Sequence, residues 1–516
     1  MPLHYNPNKR KEAFACAKAM TVVMKYISTR GMITSENAIG SADAIKRGLA
    51  PDGGLFMPLE FPKLSKEEIE KYIPLSYPER AFEILSKFLT DYPGDVLKKA
   101  CLDAYSEKTF EKGAAPIKKV CNDLYSLELW HGPTCAFKDE ALQIMPKLLS
   151  AALKITNEPK TAFILVATSG DTGKAALEGY RDVDKVKIMV YYPSDGVSAV
   201  QKKQMATQEG ENVEVCAVHG NFDDAQSGVK KIFSDPDAQR RLNEKGYFFS
   251  SANSINWGRL VPQIVYYVSA YCDLIKTGDI KNGDKISFAV PTGNFGNILA
   301  AYIAKEMGLP VSRLICASNT NNVLTDFLKT GTYDKNRTFH TTMSPSMDIL
   351  ISSNLERLLY LCAGCDKTAE YMRSLAQDGK YTVSSDVMEK IEKTFVGEFA
   401  SENDCKKTIK ETFEKYGYLC DPHTAVGIFC AKKLKKANEK IVVASTASPF
   451  KFAADVCRCL GHTDFSNDFE AIDALSLHTG AEIPGPIASL SSKKVRFSDA
   501  IDPDQMKETT LSKIKA

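Results

Sequence analysis

The apolar positions of this chain follow two different spacings, and the change from one to the other divides it. In the first hundred residues they recur as they do on helices. Ser41–Leu49 and Lys66–Tyr72 read as single helices, joined by a turn-rich stretch at Ala50–Pro58. Phe82, Leu85, Phe88, Leu89, Val96, Leu97 and Leu102 predict two more helices, interrupted at Tyr92-Pro93-Gly94.

From Thr161 the apolar runs become continuous and rich in β-favouring residues. TAFILVAT (Thr161–Thr168) predicts a buried strand, SGDTG (169–173) a loop, KAALEGYR a helix, and KVKIMVYYP (Lys185–Pro193) the next strand. The order repeats with KISFAVPT (Lys285–Thr292), the loop Gly293-Asn294-Phe295-Gly296-Asn297, and the helix ILAAYIAKEMG, stopped by Gly308 and Pro310. SRLICAS and EKIVVAST (Glu439–Thr446) are two further strands. Strand, loop, helix, strand is the grammar of a parallel sheet, so the fold class is α/β with helices flanking parallel sheets. In such sheets ligands gather at the carboxyl ends of the strands, where these loops fall.

The expected organisation is an extension over 1–23, a small, mostly helical unit over 24–115, an α/β segment over 116–260 and a second over 261–516. The last contains an insertion near 330–421 with no repeat. The tail after Pro503 is polar and expected to be loosely held. The lysine run Ala431–Lys440 is expected to be a solvated helix face.

Composition removes several classes of function. The chain has 516 residues, 44% hydrophobic and 25% charged, with 66 Lys+Arg against 64 Asp+Glu, a net charge of +2. That balance lacks the basic excess that nucleic acid or an anionic membrane requires, so the expected partner is a small molecule. No apolar run reaches membrane-spanning length. The 14 cysteines are scattered from Cys16 to Cys459, as reduced cytoplasmic thiols are. The CxxC at Cys362–Cys365 lacks a second pair of ligands to complete a zinc site, so no metal is expected. The first residues carry Lys9, Arg10, Lys11 and Lys18 against Glu12, without the apolar core of a secretory signal.

Candidate chemistry centres on LELWHGPTCAFKDEALQ (Leu127–Gln143). Lys138 follows a Gly-Pro turn and opens a run of Ala141, Leu142, Ile144, Met145, Leu148 and Leu149. Burial beside Phe137 would disfavour its ammonium and release a nucleophilic amine, whereas a surface location would leave a solvated pair with Asp139. Ser169, Thr172 and the SGDTG amides could hold a carboxylate or simply cap a helix. Asn253, Ser254 and Arg259 place an amide, a hydroxyl and a guanidinium ahead of an apolar run, fit for an anion or for capping and surface duty. The GNFGN glycines would let the backbone curl round a phosphate or form a tight turn. Ser445 and Thr446 end a strand with paired hydroxyls.

Together these parts suit pyridoxal phosphate. HGPTCAFKDEALQ, TSGDTG, NSINWGR, VPTGNFGN and SPSMDILISSNLERLL resemble, in order, the motifs of the threonine synthases. The resemblance runs from about Met24 to Phe452 and implies a fold-type II pyridoxal 5'-phosphate enzyme, similar to the tryptophan synthase β chain. Such an enzyme turns O-phospho-L-homoserine and water into L-threonine and phosphate, acting in the cytoplasm as a monomer or homodimer. Lys138 would be the Schiff-base lysine; Gly293, Asn294, Phe295 and Asn297 would cradle the cofactor phosphate, with Gly296 permitting the curl; Thr446 would face the pyridine nitrogen. Ser169, Thr172, Asn253, Ser254 and Arg259 would hold the anionic ends of the substrate. The family usually has His-Pro where this chain has Ser448-Pro449, and apolar residues where it has Cys135 and Glu140. A phospholyase yielding 2-oxobutyrate, or a catalytically silent phosphate-binding protein of the same fold, would share the cofactor motifs.

Overall fold

The computed structural model describes residues 23–168, 170–194 and 197–514. Nearly all of the expected extension, residues 1–22, and the candidate Ser169 lie outside the described residues. Among the described residues fifteen strands follow in chain order: β1 (Tyr26–Ser28), β2 (Phe56–Pro58), β3 (Ile117–Cys121), β4 (Leu124–Glu128), β5 (Thr161–Ala167), β6 (Val186–Pro193), β7 (Val213–Val218), β8 (Tyr247–Ser250), β9 (Ile286–Pro291), β10 (Val311–Ser318), β11 (Thr332–Asp334), β12 (Lys380–Thr382), β13 (Phe395–Phe399), β14 (Ile441–Ser445) and β15 (Ala500–Ile501).

The helical N-terminal unit forms as the spacing predicts. Lys66–Tyr72 begins with a reciprocal cap between Ser65 and Glu68, and Tyr77–Phe88 buries Ala81, Ile84, Leu85 and Phe88 along one stripe. Pro93 stands at the break before Gly94–Ala104. The Gln263–Lys276 helix is apolar on almost every side and is buried accordingly. It receives the N-terminal unit partly through Arg80, whose guanidinium lies 2.7 Å from Asp273.

Two sheets carry the α/β body. One has the order β13-β10-β9-β14-β4-β3, parallel except for the β3–β4 hairpin; the other has the order β15-β7-β6-β5-β8 and is parallel throughout. Their central strands are buried on both faces, which is why they read as unbroken apolar runs. Sheet membership does not follow a cut at residue 260. β3 and β4 join the sheet of β9, β10 and β14, and β15 crosses to the other sheet. Register places β14 between β4 and β9, with Ser445 beside Glu128 and Val443 beside Ala289, so the loops after β4, β9 and β14 emerge together.

Two expectations change. The C-terminal tail is docked: β15 pairs with β7, and a Met506–Ser512 helix buries Met506 and Leu511, with Ile514 following. Tyr191 fixes it by donating to the Met506 carbonyl at 3.0 Å. Its apolar residues are too few to stand out in sequence, yet each enters the same cluster. The lysine run is only partly helical, because the Pro422–Leu434 helix stops at Leu434. Lys433 pairs with Glu398, and Lys435 and Lys440 with Asp123. No helix among the described residues is long and apolar enough to cross a membrane.

Candidate active site

The segment before Lys138 is tied to the end of β14. Leu129 N–H donates to the Ser445 carbonyl at 2.9 Å and Phe137 N–H to the Thr446 carbonyl at 2.8 Å, while Ala136 bridges Ala447. Cys135 takes a left-handed φ of 57° in the turn between. Lys138 then opens a short helix, Lys138–Leu142, with its side chain buried beneath the strand ends. Its Nζ lies 3.1 Å from Ser346 Oγ, 3.5 Å from the Asp171 carboxylate and 5.6 Å from the Phe137 ring centre. Burial disfavours the ammonium, and Arg259 and Lys451 repel it; Asp171 opposes them. The outcome is a pKa lowered from 10.5 to about 8. Asp139 takes no part in this, because its carboxylate accepts from Thr134 N–H at 2.8 Å and Thr134 Oγ1 at 2.7 Å.

Asp171 is the hub of the site. Burial alone would raise its pKa, but Lys451 at 2.6 Å and Lys138 hold it well below the usual carboxylate range. Gln201 Nε2 donates to it at 2.9 Å and Ser346 Oγ at 3.3 Å. Lys451 is wholly buried and also donates to the Thr134 carbonyl at 2.9 Å. On the far side of Ser346, its N–H donates to His423 Nε2 at 3.2 Å, and His423 Nδ1 meets Asp421 at 2.8 Å. Since Nε2 accepts, the ring proton belongs on Nδ1, where Asp421 fixes it.

After β9 the loop 293–297 leads into the Gly296–Met307 helix. The expected roles of its glycines are redistributed. The left-handed residue is Phe295, with φ 62°, rather than Gly296. Gly293 is favoured by close approach, since a Cβ there would lie 3.0 Å from the Ser346 carbonyl and 3.3 Å from Met347 Cα, tight contacts with backbone atoms. The carbonyls of Gly293 and Asn294 are taken by Ser352 Oγ and by Asn354, but among the described residues the N–H groups of 294–297 meet no backbone or side-chain acceptor. Asn297 turns its side chain inward: Oδ1 accepts from the Tyr266 and Tyr267 hydroxyls at 2.6 and 2.5 Å.

The other candidates divide. Ser445 Oγ is occupied by Trp130 Nε1 at 3.0 Å and Thr424 Oγ1 at 3.1 Å. Thr446 Oγ1 has no hydrogen-bond partner among the described residues. Arg259 is buried, donates to the Ala252 carbonyl at 2.9 Å, and pairs with no carboxylate among the described residues; burial pushes its pKa down to about 10. Asn253 and Ser254 sit in the more exposed loop just ahead of it. Thr172 is half-buried at the start of the Asp171–Tyr180 helix. Two of the SGDTG amides, Gly170 and Gly173, already donate to Thr168 Oγ1 at 3.0 and 2.9 Å, so this loop offers an anion less than its sequence suggests.

Lys451, Asp171, Ser346, His423 and Asp421 were not singled out from the sequence. A lysine inside the otherwise apolar PFKFAA stretch is the one signal that could have found Lys451. Ser346 and Asp171 lie inside recognised motifs, but only folding shows that they meet.

A buried lysine that is partly neutral at physiological pH, free amides at a helix start and an unpartnered hydroxyl at a neighbouring strand end fit a carbonyl-bearing phosphorylated pyridine. Parallel strands converging on these groups define a fold-type II pyridoxal-phosphate enzyme. The comparisons agree. Residues 25–105 match the sequence family described as threonine synthase N terminus, 114–446 that of pyridoxal-phosphate dependent enzymes, and 424–509 threonine synthase, C-terminal. The chain is 38% identical to the threonine synthase of Pseudomonas aeruginosa over 476 residues, covering 92% of this chain and 95% of that protein. Its structure is similar to that of PLP-bound threonine synthase from Brucella melitensis, with a TM-score of 0.85 and 36% identity over 96% of this chain and 100% of the other. The chain belongs to the threonine synthase family. It is also 42% identical over 432 residues to human threonine synthase-like 1, a match that takes in 81% of this chain and 58% of that longer protein.

Proposed function

We propose that this protein converts O-phospho-L-homoserine and water into L-threonine and phosphate, using pyridoxal phosphate, in the cytoplasm. The observation that carries the reading is Lys138 Nζ, buried between Ser346 and Asp171 with its pKa brought down to about 8. At pH 7.5 roughly a quarter of such an amine is free, against roughly one part in a thousand at the ordinary lysine value.

Bound pyridoxal phosphate supplies a sink for negative charge developing at substrate carbons. Lys138 would hold it covalently, the amides of Gly293, Asn294, Phe295 and Asn297 would receive its phosphate, and Thr446 Oγ1 would donate to its ring nitrogen. With the cofactor bound, Lys138 Nζ would be the base that removes the protons from Cα and Cβ of the substrate in turn, giving up the first before it accepts the second, and the acid that returns protons to Cγ and Cα once phosphate has left Cγ and water has added at Cβ. Ser346 Oγ and Asp171 steer the Lys138 amine. Arg259, with Thr172, Asn253, Ser254 and Ser169, takes the anionic ends of the substrate, where a desolvated guanidinium is worth most.

A second reading is a phospholyase that releases 2-oxobutyrate from the same substrate. Both readings use the same Lys138 site, so only the products distinguish them. Incubating the purified protein with O-phosphohomoserine and assaying threonine, 2-oxobutyrate and phosphate separates them. Stoichiometric threonine supports the proposal, and 2-oxobutyrate as the main product overturns it. Lys138→Ala should lose the cofactor's visible absorption and all turnover.

A further inference from the structure

Behind the Lys138 site the Asp171–Tyr180 helix packs on Ala199–Ala206 through a seam of polar residues. Asp171, Lys174 and Glu178 recur at i, i+3 and i+7 along one face; Gln201 and Gln204 face them, and Gln208 follows. Two steps of this seam are closed. Gln201 donates to Asp171 at 2.9 Å, while Glu178 receives Lys174 at 3.0 Å and Gln208 Nε2 at 3.1 Å.

The step between them is not closed. Gln204 is 2% exposed, yet its carboxamide makes no hydrogen bond among the described residues, and its Oε1 is sealed from bulk solvent. A buried amide left in this way is costly, because it has given up its hydrogen bonds to water and gained none in return, so a partner is expected. The side chain borders a cavity of about 160 Å³, lined also by Pro133, Lys174, Glu178, Leu490 and Lys493. Lys493 is exposed at its rim and pairs with no carboxylate among the described residues.

The cavity's size and donor set select the ligand. About 160 Å³ is the share of roughly five waters, too little for a nucleotide and enough for a molecule of five to eight heavy atoms. Lys493 asks for an anion and Gln204 Oε1 asks for a donor. A simple anion would face the Glu178 carboxylate in the lining, and a simple amine would be repelled by the two lysines. We propose that this cavity is a second binding site, for a small zwitterionic amino acid. Its carboxylate meets Lys493, and its ammonium meets Gln204 Oε1 and Glu178. The site is separate from the Lys138 site, its lining residues Lys174 and Glu178 standing about 4.5 and about 10.5 Å of helix rise beyond Asp171 on the same helix face.

Glycine is the probe. Equilibrium dialysis of the holoprotein should count one more glycine per chain than a titration followed by the cofactor's visible absorption. Gln204→Leu and Lys493→Met should each weaken the additional binding at least tenfold and leave the absorption titration unchanged. Lys493 is at the surface, so its variant serves if Gln204→Leu fails to fold. Equal counts by the two methods, or undiminished binding in Lys493→Met, would overturn the site. Lys493-dependent binding of inorganic phosphate without glycine binding would overturn the zwitterion and leave an anion site.

Discussion

Replacing Lys138 by methionine in the cofactor-free protein tests the electrostatics on which the site depends. In the folded chain the lysine pKa is lowered from 10.5 to about 8, chiefly by burial. Between these values the unfolded chain binds the proton more tightly than the folded one, so stability contributed by this group rises with pH. Below pH 8 the buried ammonium costs roughly 3 kcal/mol, since each tenfold difference in proton affinity is worth about 1.4 kcal/mol. From pH 7 to pH 9 roughly 1 kcal/mol of that cost is recovered, as the folded lysine sheds its proton while the unfolded one keeps it. Methionine fills similar space without a charge and removes the term. Urea denaturation of both cofactor-free proteins at pH 7 and pH 9 should therefore show the wild type gaining roughly 1 kcal/mol on the variant, other titrations cancelling in the difference. Parallel pH courses, or a wild type that loses ground as pH rises, would refute the buried, partly neutral amine and with it the physical basis for Lys138 as nucleophile.

Other substitutions probe the surroundings. Arg259→Ala should lower kcat/KM for O-phosphohomoserine by about 2 kcal/mol or more while the cofactor's absorption persists; unchanged steady-state kinetics would confine Arg259 to its bond with the Ala252 carbonyl. Asp171→Asn leaves Lys451 buried without its counter-charge and should cost roughly 3–5 kcal/mol in urea denaturation, with Lys451→Met in the same background restoring much of it. Thr446→Asp should keep the cofactor but divert products from threonine, because a carboxylate favours a protonated ring nitrogen. Ser445→Asp should instead lower stability by breaking the bonds to Trp130 and Thr424; product diversion in Ser445→Asp beside an inert Thr446→Asp would exchange the two roles. In Gly293→Ala the new methyl meets the Ser346 carbonyl at 3.0 Å, and a fall in cofactor affinity measured by absorption titration is expected.

The local grammar of this chain was written in its apolar spacing. β5, β6, β9 and β14 are buried on both faces, so their sequences are continuous apolar runs that need no tertiary information to read, and the helices from Ser41 to Ala104 show their stripe in the same way. GNFGN and Thr446 could be singled out because they lie where such runs end, and Lys138 because it opens an apolar, helix-like run. The tertiary structure decided what depends on distance between segments far apart in sequence. Asp171 meets Lys451 across 280 positions, Ser346 meets Lys138 across 208, and neither pairing leaves a periodic trace. The C-terminal strand and helix likewise found their place only because β7 offered an open edge and the cluster around Tyr191 had room for Met506 and Leu511. Apolar periodicity records which face of an element is dry. The pKa of a buried amine is set by which charges the fold brings within a few ångströms of it, and that is fixed only when the strands have taken their register.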